Sequence, residues 1–251
     1  MRRLVRTAPV RDNAPMANDD FEIDSLAVYL HMEAGKVARL AERGQIPGRR
    51  QAGAWRFSRA EIHHWLEERI GISGEEELMR VEGALDRAAS AQSAPQVTLA
   101  ELLPIEAIAI PLEARTRNSV ITSMVDLAAQ TGLLWDTAKM VEAVRVREDL
   151  HPTALENGVA LLHPRRPQPS ILGQAFIALG RTARGIPFGD SRGSLTDIFF
   201  LLLSTDDRIH LWTLARLSRL ISSEDFLTAL REAPSAAAAH ELIAERERQL
   251  A

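Results

Sequence analysis

The stretch VREDLHPTALENGVALLHPRRP, Val146 to Pro167, changes local structure within a few residues. Apolar residues at helical spacing lead up to Arg147, a proline and an Asn-Gly pair then interrupt the pattern, and Val159 to Leu162 forms a continuous apolar run of strand length. His163 follows that run directly. A strand of the core is therefore expected to carry an imidazole to its end, where a partner can reach it.

The chain on either side has the same character. Ala107 to Leu112 is a short apolar run suited to a buried strand, and Arg117 to Gln130 and Asp136 to Arg147 have apolar residues at helical spacing. Gln174 to Leu179 and Leu195 to Leu203 read as further strands, and from Asp206 onward the sequence reads as helices broken near Ser222 and Pro234. Strand and helix alternate, so residues 97–251 predict an α/β domain of roughly 150 residues, within the usual range.

The first 18 residues mix Arg, Pro, Asn and Asp without periodicity and predict a disordered lead-in. Residues 19–72 predict a small separate module. Asp24 and Ser25 offer a cap for a short helix through Leu26 to Leu30, and a second helix from about Lys36 to Arg43 stops at Gly44. Gln45 to Gly48 and Ala54 to Phe57 flank an Ala52-Gly53 turn, which predicts a hairpin, and Ser58 caps a third helix through Glu61, Ile62, Trp65 and Leu66. The segment from Ser25 to Leu66 resembles the excisionase and MerR-like group of winged helix-turn-helix domains, and the resemblance implies binding to double-stranded DNA. Residues 73–96 read as a helical spacer, acidic from Glu75 to Ala89, that ends in a flexible Ser-Ala-Gln-Ser-Ala-Pro linker.

At 251 residues the chain is long enough for two cores. Its apolar and charged fractions, 46% and 25%, are ordinary for a globular protein, and a net charge of −4 gives no overall attraction for nucleic acid. Any such affinity must be local. Lys36, Arg39, Arg43, Arg49, Arg50, Arg56 and Arg59 lie in one stretch with only Glu42 among them, a patch that would neutralise phosphates, with Lys36 and Arg39 on the exposed face of the second helix. Trp55, Phe57 and Trp65 read as core, and His63 and His64, being adjacent on a helix, diverge too far to pair on a metal. The absence of cysteine excludes disulfides, thiolate chemistry and cysteine metal sites. The basic start is followed by no apolar run of signal-peptide length, and the longest such run, Ile198 to Leu203, is too short to cross a bilayer. A soluble, cytoplasmic protein without membrane insertion is expected. No nucleotide-type Gly loop is present.

The Val146–Pro167 segment resembles the phosphorylation-site signature of type 2 enzyme IIA domains of the bacterial sugar phosphotransferase system, the fructose, mannitol and nitrogen-related class. The signature places an Arg-Glu pair, a Thr, an Asn-Gly and a histidine in order, here Arg147-Glu148, Thr153, Asn157-Gly158 and His163. The resemblance runs from about Val97 to the C-terminus. It implies a mixed sheet with helices packed on it, and it includes IHLWTLARLSRLI, Ile209 to Ile221, similar to the helix that bears the family's second active-site histidine, here His210. It also implies the roles. His163 would accept phosphate at an exposed Nε2, with its other ring nitrogen hydrogen-bonded to set the tautomer. Arg147 and His210 would serve the phosphate oxygens, with Thr153 and Asn157 as further phosphate contacts; outside the signature, Arg165 and Arg166 directly after the histidine offer compensating positive charge, Arg165 as a phosphate contact. The family commonly has Pro-His-Gly where this chain has Leu162-His163-Pro164, which removes one backbone N–H next to the site, and Glu156 adds a negative charge nearby.

Together the two resemblances imply a regulator in which phosphorylation of His163 by an HPr-like phosphocarrier modulates a DNA-binding domain. Two other readings fit the same residues: a histidine phosphocarrier that relays phosphate onward to an enzyme IIB partner, and a non-catalytic sensor on an enzyme IIA fold. None requires a metal or cofactor. A homodimer is expected, because a single winged module binds DNA weakly, and Glu75 to Ala89 is the expected pairing helix.

Overall fold

A computed structural model of the protein describes residues 20–30, 32–58, 61–62, 65–66, 97–189 and 193–250. The chain divides into two compact units, Met1–Glu61 and Ile62–Ala251. The predicted lead-in, the spacer, the pairing segment Glu75 to Ala89, Arg59, His63 and His64 lie outside the described residues.

In the first unit, β1 (Asp20–Phe21), α1 (Ile23–Leu30), α2 (Ala34–Glu42), β2 (Arg49–Gln51) and β3 (Ala54–Ser58) follow one another. The antiparallel sheet has the order β1-β3-β2. Just past the α2 cap at Arg43, Gly44 has a φ of +67°, the left-handed conformation that a helix-terminating glycine supplies. Ala52 and Gly53, with φ of 50° and 83°, form the two-residue turn of the predicted hairpin, in which both central residues must be left-handed. Leu26, Val37, Ile46 and Phe57 are buried, and Trp55 stacks on Phe57 with ring centroids 6.0 Å apart. Glu61-Ile62 and Trp65-Leu66 are helical. Two details differ from the sequence reading. α1 starts at Ile23, ahead of the expected cap, because Ser25 works from inside the first turn: its Oγ accepts the Glu22 N–H at 2.8 Å. β1 is too short to leave a pattern in the sequence.

The second unit contains α3 (Leu99–Leu102), a 3₁₀ turn at Ile105–Ala107, β4 (Ile108–Ala109), α4 (Arg117–Ala129), α5 (Thr137–Leu150), β5 (Val159–Leu162), β6 (Phe176–Pro187), β7 (Leu195–Leu203), α6 (Asp207–Leu220), α7 (Glu224–Glu232) and α8 (Ala236–Leu250). The sheet order is β4-β6-β7-β5. β4 runs parallel to β6 and β5 parallel to β7, while β6 and β7 are antiparallel, so the sheet is mixed.

Side chains alternate across this sheet. Ala160, Leu162, Phe176, Ala178, Phe199 and Leu201 join Val120, Met124 and Val144 of α4 and α5 in one core. Their sequence neighbours Val159, Leu161, Ile177, Ile198, Phe200 and Leu202 point the other way and are also buried, and α6 packs against β7. Both faces are covered, which is why Ile198 to Leu203 shows no polar alternation. The expected strand Ala107 to Leu112 is reduced to Ile108–Ala109, since Pro111 has no N–H to give to the ladder. β6 runs on to Pro187, well past the predicted Leu179, carrying Arg181, Thr182 and Arg184 through a bulge between Arg181 and Ile186.

Phe199 is fully buried in the middle of β7. Phe199→Ala is expected to destabilise this unit by about 3–5 kcal/mol, read as a shift of its urea midpoint at unchanged m-value.

Candidate functional site

The parallel pair β5 and β7 ends on one side of the sheet, where the chain turns polar: His163 follows Leu162 and Ser204 follows Leu203. α6 begins just beyond β7, capped by Asp206, whose carboxylate accepts the Ile209 N–H at 3.0 Å, and its first turn carries His210. The two imidazoles face each other with centroids 5.1 Å apart, and the Ser204 hydroxyl lies 3.5 Å from His210 Nδ1. The last turn of α5 brings in Arg147.

His163 is held at both ring nitrogens. Nδ1 lies 2.7 Å from the Leu161 carbonyl, and Arg147 Nε lies 3.1 Å from Nε2. A carbonyl can only accept and a guanidinium can only donate, so the imidazole carries its proton on Nδ1 and its lone pair on Nε2. This is the tautomer that a nucleophilic Nε2 requires. The expectation of an exposed nitrogen is nevertheless wrong: His163 is only 2% and His210 5% exposed. Arg147, itself 7% exposed, lies against the lone pair while its Nη1 donates to the His151 carbonyl at 2.7 Å.

The other signature residues are committed differently from the sequence reading. The Thr153 hydroxyl donates to the Glu148 carboxylate in a short contact, and the Thr153 N–H reaches the same carboxylate at 3.3 Å. Asn157, expected as a phosphate contact, gives its amide to the Ile221 carbonyl at 3.1 Å and accepts the Val159 N–H at 3.3 Å, so it pins a turn. Gly158, with φ of 83°, completes that turn, and Ala154 pairs back on Ala160. Pro164 is buried, and Arg165 and Arg166 beyond it are exposed.

Glu148 is 1% exposed, with Arg117 Nη2 at 3.6 Å from its carboxylate. Burial pushes its carboxyl above the usual range, while the two Thr153 donors, Arg117 and Arg147 pull it back. The sequence pattern included Glu148 without giving it a task and missed Arg117 and Ser204. Arg117 is far away in the sequence and carries no local signal. Ser204 could have been read from its position at the end of an apolar strand just ahead of the His210 helix.

On the first unit, Lys36, Arg39 and Arg43 follow at spacings of three and four along α2, are exposed, and make no ion pair with other described residues. The wing is less free than the sequence suggested. Arg49 pairs with Asp20 at 2.6 Å, Arg56 with Glu22 in a short contact, and Arg50 lies 4.0 Å from Glu42 and over the Trp55 ring. Asp20 and Glu22 reach the wing through β1, the strand that left no sequence pattern.

A mixed α/β fold with a histidine at the end of one strand of a parallel pair, facing a second on the helix after the other strand, fits the class of phosphotransferase-system IIA domains, here in one chain with a helix-turn-helix unit. Residues 101–246 match the family described as phosphoenolpyruvate-dependent sugar phosphotransferase system, EIIA 2, and residues 22–70 match a helix-turn-helix domain. The chain belongs to the EIIA 2 family. A nitrogen regulatory protein from Bradyrhizobium diazoefficiens is 30% identical over 149 residues, 58% of this chain and 94% of that protein. The fructose-specific EIIABC component of Bacillus subtilis is 30% identical over 139 residues, 55% of this chain but only 21% of its own length. Among solved structures, the nitrogen regulatory protein IIA-Ntr from Neisseria meningitidis shares the fold at a TM-score of 0.52 and 24% identity, covering 57% of this chain and 97% of that one. Among the described residues, no helix is long and apolar enough to cross a membrane.

The raised carboxyl of Glu148 gives a pH test. The folded state holds this proton more tightly than the unfolded chain, so the contribution to stability is full below the unfolded glutamate value and is lost as pH rises through the folded one. Glu148→Gln lacks that loss. Its urea midpoint should gain on wild type as pH rises from the glutamate range to neutrality, and a gap constant with pH would refute the assignment.

Proposed function

We propose that the protein is a cytoplasmic regulator linked to the phosphotransferase system, in which phosphorylation of His163 by an HPr-like phosphocarrier alters how the helix-turn-helix unit binds double-stranded DNA. The union of an EIIA 2 domain with a helix-turn-helix domain fits a regulator of this kind. The observation that carries the chemical part is the Nδ1–H tautomer of His163, which leaves the Nε2 lone pair directed at Arg147.

In this reading the Nε2 lone pair attacks phosphorus, the donor's N–P bond breaks with its electron pair left on the donor imidazole, and the Nδ1 proton stays on His163. Arg147 must first swing off Nε2, after which its guanidinium can bind the phosphoryl oxygens as a planar fork. His210 supplies a second donor. Little covalent work falls to the protein, so positioning and charge do the rest. Arg165 is an exposed cation for the incoming partner, and Thr153 and Asn157 support the loop. The regulatory domains are taken as residues 19–72 and 97–251, working as a homodimer on DNA.

DNA binding is assigned to the α2 face, where Lys36, Arg39 and Arg43 have no acidic partner among the described residues, with Arg49, Arg50 and Arg56 on the wing of the same unit. A second reading, a binding protein on an enzyme IIA fold, is favoured by the burial of His163 behind Arg147. Relay to an enzyme IIB partner would need the same phosphorylated His163.

Incubation with phosphoenolpyruvate, enzyme I and the histidine phosphocarrier should add one acid-labile phosphate to the wild type and none to His163→Ala, read by intact mass. No phosphate on either protein selects the binding reading. Arg39→Ala should weaken binding to DNA fragments and lower the slope of log affinity against log salt by about 1. An unchanged slope would move the DNA face elsewhere.

A further inference from the structure

We infer that Glu148 is a positioning residue for His163, acting on the imidazole through Thr153 and Leu161. The inference rests on the reading of His163 as the phosphate acceptor and adds to it a group that phosphoryl transfer itself does not use.

The connection is continuous. The Glu148 carboxylate accepts both the N–H and the hydroxyl of Thr153, one on each oxygen. The Thr153 carbonyl accepts the Leu161 N–H at 3.3 Å, and Ala154 pairs with Ala160 beside it. The Leu161 carbonyl in turn accepts His163 Nδ1–H at 2.7 Å. Arg147, the preceding residue on α5, meets the other ring nitrogen directly. Adjacent helix residues point about 100° apart, so the last turn of α5 reaches His163 by two separate routes, one to each nitrogen.

The choice of a carboxylate matters. Both Thr153 groups are donors, and an ionised carboxylate accepts at both oxygens, whereas a glutamine accepts at one atom and donates at the other. The charged groups facing Glu148 are Arg117 from α4, whose Nη1 also meets Asp149 at 3.3 Å, and Arg147 on its own helix. These keep a buried acceptor in place. The consequence falls on the tautomer: if Leu161 shifts, Nδ1–H loses its fixed acceptor, and a proton that moves to Nε2 removes the nucleophile.

The test uses the full chain with ¹⁵N-labelled histidine. Wild type should show a hydrogen-bonded, slowly exchanging Nδ1–H signal for His163. Glu148→Gln and Thr153→Val should each lose it or add an Nε2–H population, while Thr153→Ser, which restores the hydroxyl, should keep it. Phosphate uptake from the phosphocarrier should fall roughly 10-fold or more in the first two, since a misplacement near 1 Å can cost about 10²-fold. An unchanged Nδ1–H signal in folded Glu148→Gln and Thr153→Val overturns the proposal, whatever the uptake. If wild type takes no phosphate, the acceptor reading falls, and the signal comparison still decides the positioning role.

Discussion

Ile198 to Leu203 offers no polar side chain to turn toward water, and much of the second unit follows from that. A strand apolar on both faces needs cover on both, which α4 and α5 provide on one side and α6 on the other. With β5 parallel to β7, the carboxyl ends of both strands come out on the same edge of the sheet, with the first polar residues past the apolar runs, His163 and Ser204, each close to His210. Open α/β sheets bind ligands at such ends. The hydrophobic requirement thus fixes the location of the site before any catalytic group is considered.

The site itself is a buried set of charges that settle one another. Glu148, nearly inaccessible, is matched by Arg117 and lies near Arg147, and Arg147 is matched by two neutral acceptors, His163 Nε2 and the His151 carbonyl. Removing one member of such a set leaves another charge buried without compensation, which costs several kcal/mol in typical cases. The arrangement is therefore stiff. A stiff imidazole with a single tautomer suits the nucleophilic role proposed for it, and the same stiffness keeps its lone pair against Arg147.

Much of this was legible in the sequence, for reasons that differ by element. The strands β5 and β7 and the helices α4 to α8 show in apolar spacing because each buries a full face. The hairpin shows in Ala52-Gly53, and the end of α2 in Gly44, because the backbone there needs left-handed residues. β1 and the true ends of β4 and β6 do not show, since two residues make no period and polar strand residues look like loop. The register of Arg147, Thr153 and His163 was readable, but their bonding partners were not. Asn157 turned out to brace the carbonyl of Ile221, and the exposure expected of His163 failed, because which face of a strand end a distant helix covers is a tertiary property.

The contacts of Arg147 bear on how the proposed modification of His163 would acquire wider reach. A phosphoryl group on Nε2 needs the volume that the Arg147 guanidinium holds, and Arg147 cannot leave without releasing the His151 carbonyl at the C-terminal end of α5. Residues 151 to 155 are tied in turn to Glu148 and to β5. In the proposed role, a dianion on Nε2 requires Arg147 to give up both contacts at once, and that change falls where α5 meets the loop leading to β5. Under the proposed phosphoacceptor role, any switch would start from the Arg147 contact at Nε2, because one guanidinium cannot serve His163 and a phosphate at the same place.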